Sequence, residues 1–138
     1  MSIRKLLARS ASSMSTWGLR HIARRPAANM PGKIALKLDP QIIAESMGKV
    51  TEGSIVVVGT NGKTTITNMI ADALERQGKT VACNRTGANL AYGVATTLLQ
   101  TKGSVEWGVF ESDELWLAYT LPQVQASYVL LLNLSRSA

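Results

Sequence analysis

The sequence predicts an α/β fold: a parallel sheet flanked by helices, carrying a phosphate-binding loop (P-loop) and preceded by a basic N-terminal helical arm. Three observations predict it. Strand-like and helix-like stretches alternate from residue 54 to residue 133. The first strand runs into Gly59-Thr60-Asn61-Gly62-Lys63-Thr64-Thr65, and an amphipathic helix follows. The excess positive charge sits in residues 1–38, which hold eight bases and no acid, whereas the rest hold seven bases and nine acids.

A length of 138 residues fits about one domain. With 46% hydrophobic and 17% charged residues the chain is neither disordered nor of low complexity. A single cysteine, Cys83, excludes an intramolecular disulfide and a multi-cysteine metal cluster within these residues. The formal charge of +6 belongs to the arm, so it does not make the globular part a nucleic-acid binder.

Residues 1–30 form the basic arm. Ile3, Leu6, Leu7, Met14 and Trp17 fall roughly on one side at helical spacing. The acid-free, Arg- and Ser-rich composition also fits a transit peptide or a surface helix on anionic lipid. A lead-in helix is the simplest of the three. His21, in this arm, is assigned no chemistry. Residues 31–53 read as a connector, punctuated by Pro31, Gly32 and Pro40, with a short helix at 41–48.

From residue 54 the pattern is regular. Ser54–Val58 is an apolar strand of the kind buried on both faces. Ile66, Met69, Ile70, Ala73 and Leu74 place an apolar stripe on a helix from 63 to 77, which Gly78 ends. Strands are expected at 80–83, 105–110 and 127–133, and helices at 89–100 and 113–121. Gly93 weakens the first of these helices, and Pro122 ends the second. Leu115–Ser135 carries no charge and is long enough to span a membrane, but Pro122 and its polar neighbours split it into a helix and a strand.

The loop Gly59–Thr65 carries the strongest chemical signal. Glycines let the backbone turn tightly against phosphates, and amide N–H groups at a helix start offer them partial positive charge. Lys63 would reach the β- and γ-phosphates, and the hydroxyl of Thr64 would sit on Mg²⁺. The usual pattern has a glycine where Val57 stands, so this is a shortened variant. Glu111-Ser112-Asp113-Glu114 follows the third strand, on the same sheet edge. Glu111 suits the metal there, and Asp113 suits a helix cap. Asn84-Arg85-Thr86-Gly87-Ala88-Asn89 follows the second strand on that edge; its polar groups suit a substrate contact or equally a turn and helix cap. Cys83 is a small buried residue, and Trp107, Trp116 and Tyr119 are packing groups.

The phosphate loop, with Glu111 at a strand end 46 residues after Thr65, resembles the ATP-binding central domain of the Mur ligase family. Residues 31–40, Thr86–Asn89, Phe110–Glu114 and Leu132–Arg136 sharpen the resemblance toward its MurT-like group. The resemblance implies that residues 54–138 are part of a Mur ligase central domain, with ATP and Mg²⁺ as cofactors. Gly59, Thr60, Asn61, Gly62, Lys63, Thr64 and Thr65 would hold the nucleotide. Lys63 and Glu111 would be catalytic, Thr64 and Glu111 would hold the metal, and Thr86 and Asn89 would touch substrate. The implied reaction activates the D-glutamate α-carboxylate of lipid II as an acyl phosphate and amidates it to D-isoglutamine. Ammonia would come from a GatD-type glutamine amidotransferase, in a bacterial cytoplasmic protein that meets the inner membrane face through its substrate.

The family pattern continues with an Asp-rich stretch where Ser137-Ala138 stand, and Ser135 occupies a position usually aromatic. The four-cysteine zinc site of many relatives cannot be supplied here. The sequence therefore reads as the front part of a larger protein, inactive and poorly stable alone. Rival readings are a UDP-MurNAc-peptide synthetase, a folylpolyglutamate synthase relative, a GTPase switch and a basic nucleic-acid or membrane module. The Asn-Lys-x-Asp and Asp-x-x-Gly strings of GTPases do not occur.

Overall fold

The computed structural model describes residues 3–5, 7–10 and 29–134. Helix α1 (Met30–Leu38) and α2 (Ile42–Ser46) lead through a 3-10 turn, Met47–Lys49, into β1 (Val50–Val58). Three strand–helix units follow: α3 (Lys63–Arg76), β2 (Val81–Cys83), α4 (Ala91–Gln100), β3 (Val105–Ser112), a 3-10 turn at Glu114–Trp116, α5 (Leu117–Val124) and β4 (Tyr128–Leu131). The four strands are parallel, in the order β2-β3-β1-β4. The expected fold class is therefore present.

The period-two alternation of strands sorts the core. Val56 and Phe110 are register partners, and both join one apolar cluster with Ala35, Ile42, Ile43, Val94, Leu98 and Val124 from the helices α1, α2, α4 and α5. Val57 is partnered with Glu111, and Ile55 with Val109, so these side chains share the opposite face. Helix α3 packs against β1, β2 and β3 and buries Thr67 and Ala71. Glu111 thus stands at the C-terminal end of a central strand, on the face that α3 covers.

The N-terminal third departs from expectation. The stretch 31–38, expected as a connector, is helix α1, with Pro31 in its first turn, where a missing N–H costs nothing. Gly32 lies close against α4: its N–H donates to Thr96 Oγ1 at 2.8 Å. β1 begins four residues earlier than expected, at Val50. In the arm, residues 3–5 and 7–10 are helical, and Lys5 pairs with Glu45. Of the expected stripe, Ile3 and Leu7 are exposed, whereas Ala8, outside it, is buried. Leu6, Met14, Trp17 and His21 lie outside the described residues.

Pro122 does not end its helix; it sits inside α5, which runs two residues further to Val124. Its missing N–H deprives the carbonyl of Ala118, an exposed residue, so water can replace the lost partner. Left-handed Gln125 then closes the helix. Gly93 is explained by packing: a Cβ there would fall 1.9 Å from the Ala88 carbonyl oxygen. Among the described residues no helix is long and apolar enough to cross a membrane.

Candidate active site

The C-terminal edge of the sheet gathers three loops. The first, after β1, is the phosphate loop. Gly62, left-handed at φ 84°, is the N-cap of α3, so Lys63, Thr64 and Thr65 form its first turn. The first N–H groups of a helix have no partner within it and carry the positive end of its dipole. The preceding amides are engaged: Thr60 and Asn61 donate to Asn133 Oδ1 at 3.2 and 3.0 Å. Asn133 Nδ2 donates back to the Asn61 carbonyl at 3.1 Å. Asn133, just after β4, therefore braces the loop, and the donors at the helix start are those available to an anion. Lys63 folds over the same loop, donating to the Gly59 carbonyl at 2.5 Å.

The second loop, 84–89, is tied down on both sides. Arg85 bridges Asp72 and Glu75 of α3 at 2.8 Å each, which raises its pKa. Asn68 of α3 donates to the Arg85 carbonyl at 3.3 Å. Gly87 has φ 75°, and a Cβ there would stand 3.2 Å from Thr64 Oγ1, so only glycine fits comfortably. Burial pushes the Cys83 thiol up to about 11, so it is no nucleophile at neutral pH.

The third loop follows β3, which runs two residues past its expected end and so holds Glu111 within the strand. Glu111 is 1% exposed, and its Oε2 has no hydrogen-bond partner among the described residues. Asp113 caps the following turn, accepting from the Leu115 N–H at 3.0 Å, and its own N–H donates to the Asn89 carbonyl at 2.7 Å.

These loops enclose a cavity of about 330 Å³, lined by Thr60, Asn61, Gly62, Lys63, Thr64, Thr65, Gly87, Asn89 and Glu111. All the site residues named from sequence line it except Gly59, which lies buried beneath, and Thr86, which is exposed outside the lining. Gly87, Asn84 and Asn133 were not singled out as site residues. Gly87 and Asn133 stand in stretches that carry the family resemblance and Asn84 in the loop after the second strand, but the two asparagines act over 27 and 72 residues, and only strand register reveals their partners.

A buried carboxylate oxygen without a partner is costly unless a cation or donor meets it. Among the described residues no three His, Cys, Asp or Glu side chains converge on a metal position. The donors fit Mg²⁺, which takes one or two carboxylates and completes its shell with water and nucleotide phosphates.

Fold and site together define a phosphate-loop domain of the ligase type. Residues 57–137 match the Mur ligase middle domain, and the chain belongs to the Mur ligase family. It is 34% identical over 139 aligned residues to the lipid II isoglutaminyl synthase (glutamine-hydrolyzing) subunit MurT of Streptococcus pneumoniae, an alignment covering 99% of this chain. It is 30% identical to the MurT subunit of Staphylococcus aureus strain COL, over 89% of this chain. The chain spans 30% of the length of each of these relatives. The fold is shared with the UDP-N-acetylmuramoylalanyl-D-glutamyl-2,6-diaminopimelate--D-alanyl-D-alanyl ligase of Acinetobacter baumannii. That likeness has a TM-score of 0.62 and 24% identity, covering 76% of this chain and 24% of that one.

Proposed function

We propose that this chain supplies the ATP-binding part of a carbon–nitrogen ligase of peptidoglycan synthesis. Its substrate would be the D-glutamate α-carboxylate of lipid II. The carboxylate attacks the γ-phosphorus of ATP and ADP leaves; ammonia then attacks the acyl phosphate and inorganic phosphate leaves, giving D-isoglutamine. The observation that carries the nucleotide-and-magnesium part of this reading is the buried Glu111 oxygen beside the phosphate loop, which has no hydrogen-bond partner among the described residues; the family membership supports the ligase part. Lipid II and glutamine as the ammonia source are suggested by what the MurT relatives are called; the GatD-type amidotransferase is what the sequence resemblance implies.

In this reading Lys63 releases the Gly59 carbonyl and pairs with the terminal phosphates, where it neutralises charge on the transferred group. The amides of the first turn of α3 hold the phosphates in place. Thr64 and Glu111 would hold Mg²⁺, which when bound draws charge from the phosphate oxygens. Asn89, at the cavity wall, orients substrate or phosphate; Thr86, on the outer side of the same loop, would meet the bulkier substrate. Work on a membrane-bound lipid would bring this cytoplasmic domain to the inner membrane face.

The test incubates the protein carrying this sequence with lipid II, ATP, Mg²⁺, glutamine and the amidotransferase, and reads the lipid by mass spectrometry. ATP-dependent amidation supports the proposal. Ligation of an amino acid to a UDP-MurNAc-peptide instead, with lipid II unchanged, would assign it to the peptide synthetases.

A further inference from the structure

Asn84 lies at the point where β2 leaves the sheet. β2 pairs with β3 as far as Cys83 beside Val109, while β3 runs on to Ser112. Glu111 keeps β1 on one side, through Val57, but has no strand residue of β2 on the other. The side chain of Asn84 fills that place. Its Oδ1 accepts from the Glu111 N–H at 2.9 Å, and its Nδ2 donates to the Glu111 carbonyl at 3.0 Å. The second N–H of the same amide reaches the Ala88 carbonyl at 2.9 Å. Asn84 is 3% exposed, so these bonds are shielded from water.

One carboxamide thus completes the sheet around Glu111 while its backbone is released to turn. That release lets the loop swing out, so that Gly87 comes against Thr64. A full strand at residues 84–86 would also satisfy Glu111, but it would carry the chain away from the phosphate loop. An apolar residue would allow the turn and leave two buried main-chain groups of Glu111 unpaired, at about 1–3 kcal/mol each.

We propose that Asn84 is the positioning residue for Glu111: by standing in for a missing strand, its side chain fixes the carboxylate that receives magnesium. The inference rests on the reading of Glu111 as the magnesium-holding group. Asn84 touches neither Lys63 nor the first turn of α3 in any hydrogen bond described above. Its loss should therefore weaken the coupling between magnesium and nucleotide and leave the grip on the phosphates.

The experiment measures ATP binding to the protein carrying this sequence by titration calorimetry, once in EDTA and once in saturating Mg²⁺. The ratio of the two affinities is the magnesium enhancement. Asn84→Ala is expected to cut the enhancement roughly tenfold, the usual scale for losing a group that orients a metal ligand. Affinity in EDTA should fall by less than the enhancement does, since Asn84 has no hydrogen bond to residues 59–65 among the described residues. Asn84→Ser, which keeps a hydroxyl, should fall between and serves if Asn84→Ala does not fold. Thr96→Ala removes a buried hydrogen bond between α1 and α4; it should lower the melting temperature and leave the enhancement alone.

Asn84 variants that melt lower but keep the wild-type enhancement would overturn the inference, leaving Glu111 its role. A wild-type chain that binds ATP equally in EDTA and in magnesium would overturn the Glu111 reading and the inference with it.

Discussion

Two strands of this sheet are made of nearly the same material. Ile55-Val56-Val57-Val58 closes β1, and Tyr128-Val129-Leu130-Leu131 is β4. Val56 and Val57 are fully buried, whereas Tyr128 is 64% and Leu131 56% exposed. β1 has β3 on one side and β4 on the other, with helices over its residues. Among the described residues β4 has β1 alone beside it. An apolar run states that a strand needs cover; it does not state that the same stretch of chain provides it. The bare strand still serves the site, because Asn133, two residues beyond it, braces Thr60 and Asn61.

The sharpest way to break this comparison is to place a charge in each strand. Val57→Asp would bury an unpaired carboxylate at a cost of several kcal/mol, on the order of the whole stability of a small domain. Its circular-dichroism melt should show no cooperative transition. Leu131→Asp should change stability by no more than about 0.5 kcal/mol, because the side chain is already more than half exposed. Equal damage from both would mean that β4 is covered after all.

Next in size is the partner strand. Phe110→Ala, which empties a fully buried site in the apolar cluster, should cost about 3–5 kcal/mol in denaturant unfolding. Gly87→Ala forces a side chain into the left-handed region against Thr64 and should cost about 1–2 kcal/mol. It should weaken ATP binding too, since Gly87 and Thr64 share the cavity wall. Asn133→Ala should act on binding alone. Loosening the loop by about 1 kcal/mol predicts about a fivefold weaker affinity for ATP in the same titration, with an unchanged melting temperature.

The phosphate loop, the central strands and the cap at Asp113 were legible because each is local: a glycine turn, an apolar run, a carboxylate two residues from the N–H that donates to it. Helix α1 was hidden by Pro31 and Gly32, which punctuate loops in general but here start a helix and let it approach α4. Pro122 misled for a related reason, since one missing hydrogen bond at an exposed turn did not stop a short helix. In the arm, the burial of Ala8 rather than Ile3 and Leu7 depended on the shape of the surface it meets. The supports of the site were the least legible. Asn84 and Asn133 look like turn residues until the register brings Glu111 and Asn61 to them.

The central claim is that Lys63 and Glu111 serve one bound nucleotide in separable ways. The direct measurement is calorimetric titration of ATP, with and without magnesium, into the protein carrying this sequence and into its Lys63→Ala and Glu111→Gln variants. Lys63→Ala should weaken ATP roughly tenfold or more in both conditions, as expected for losing a charged donor. Glu111→Gln should abolish the gain from magnesium and spare binding in EDTA. Wild-type affinity in both variants, with the magnesium gain intact, would contradict the account.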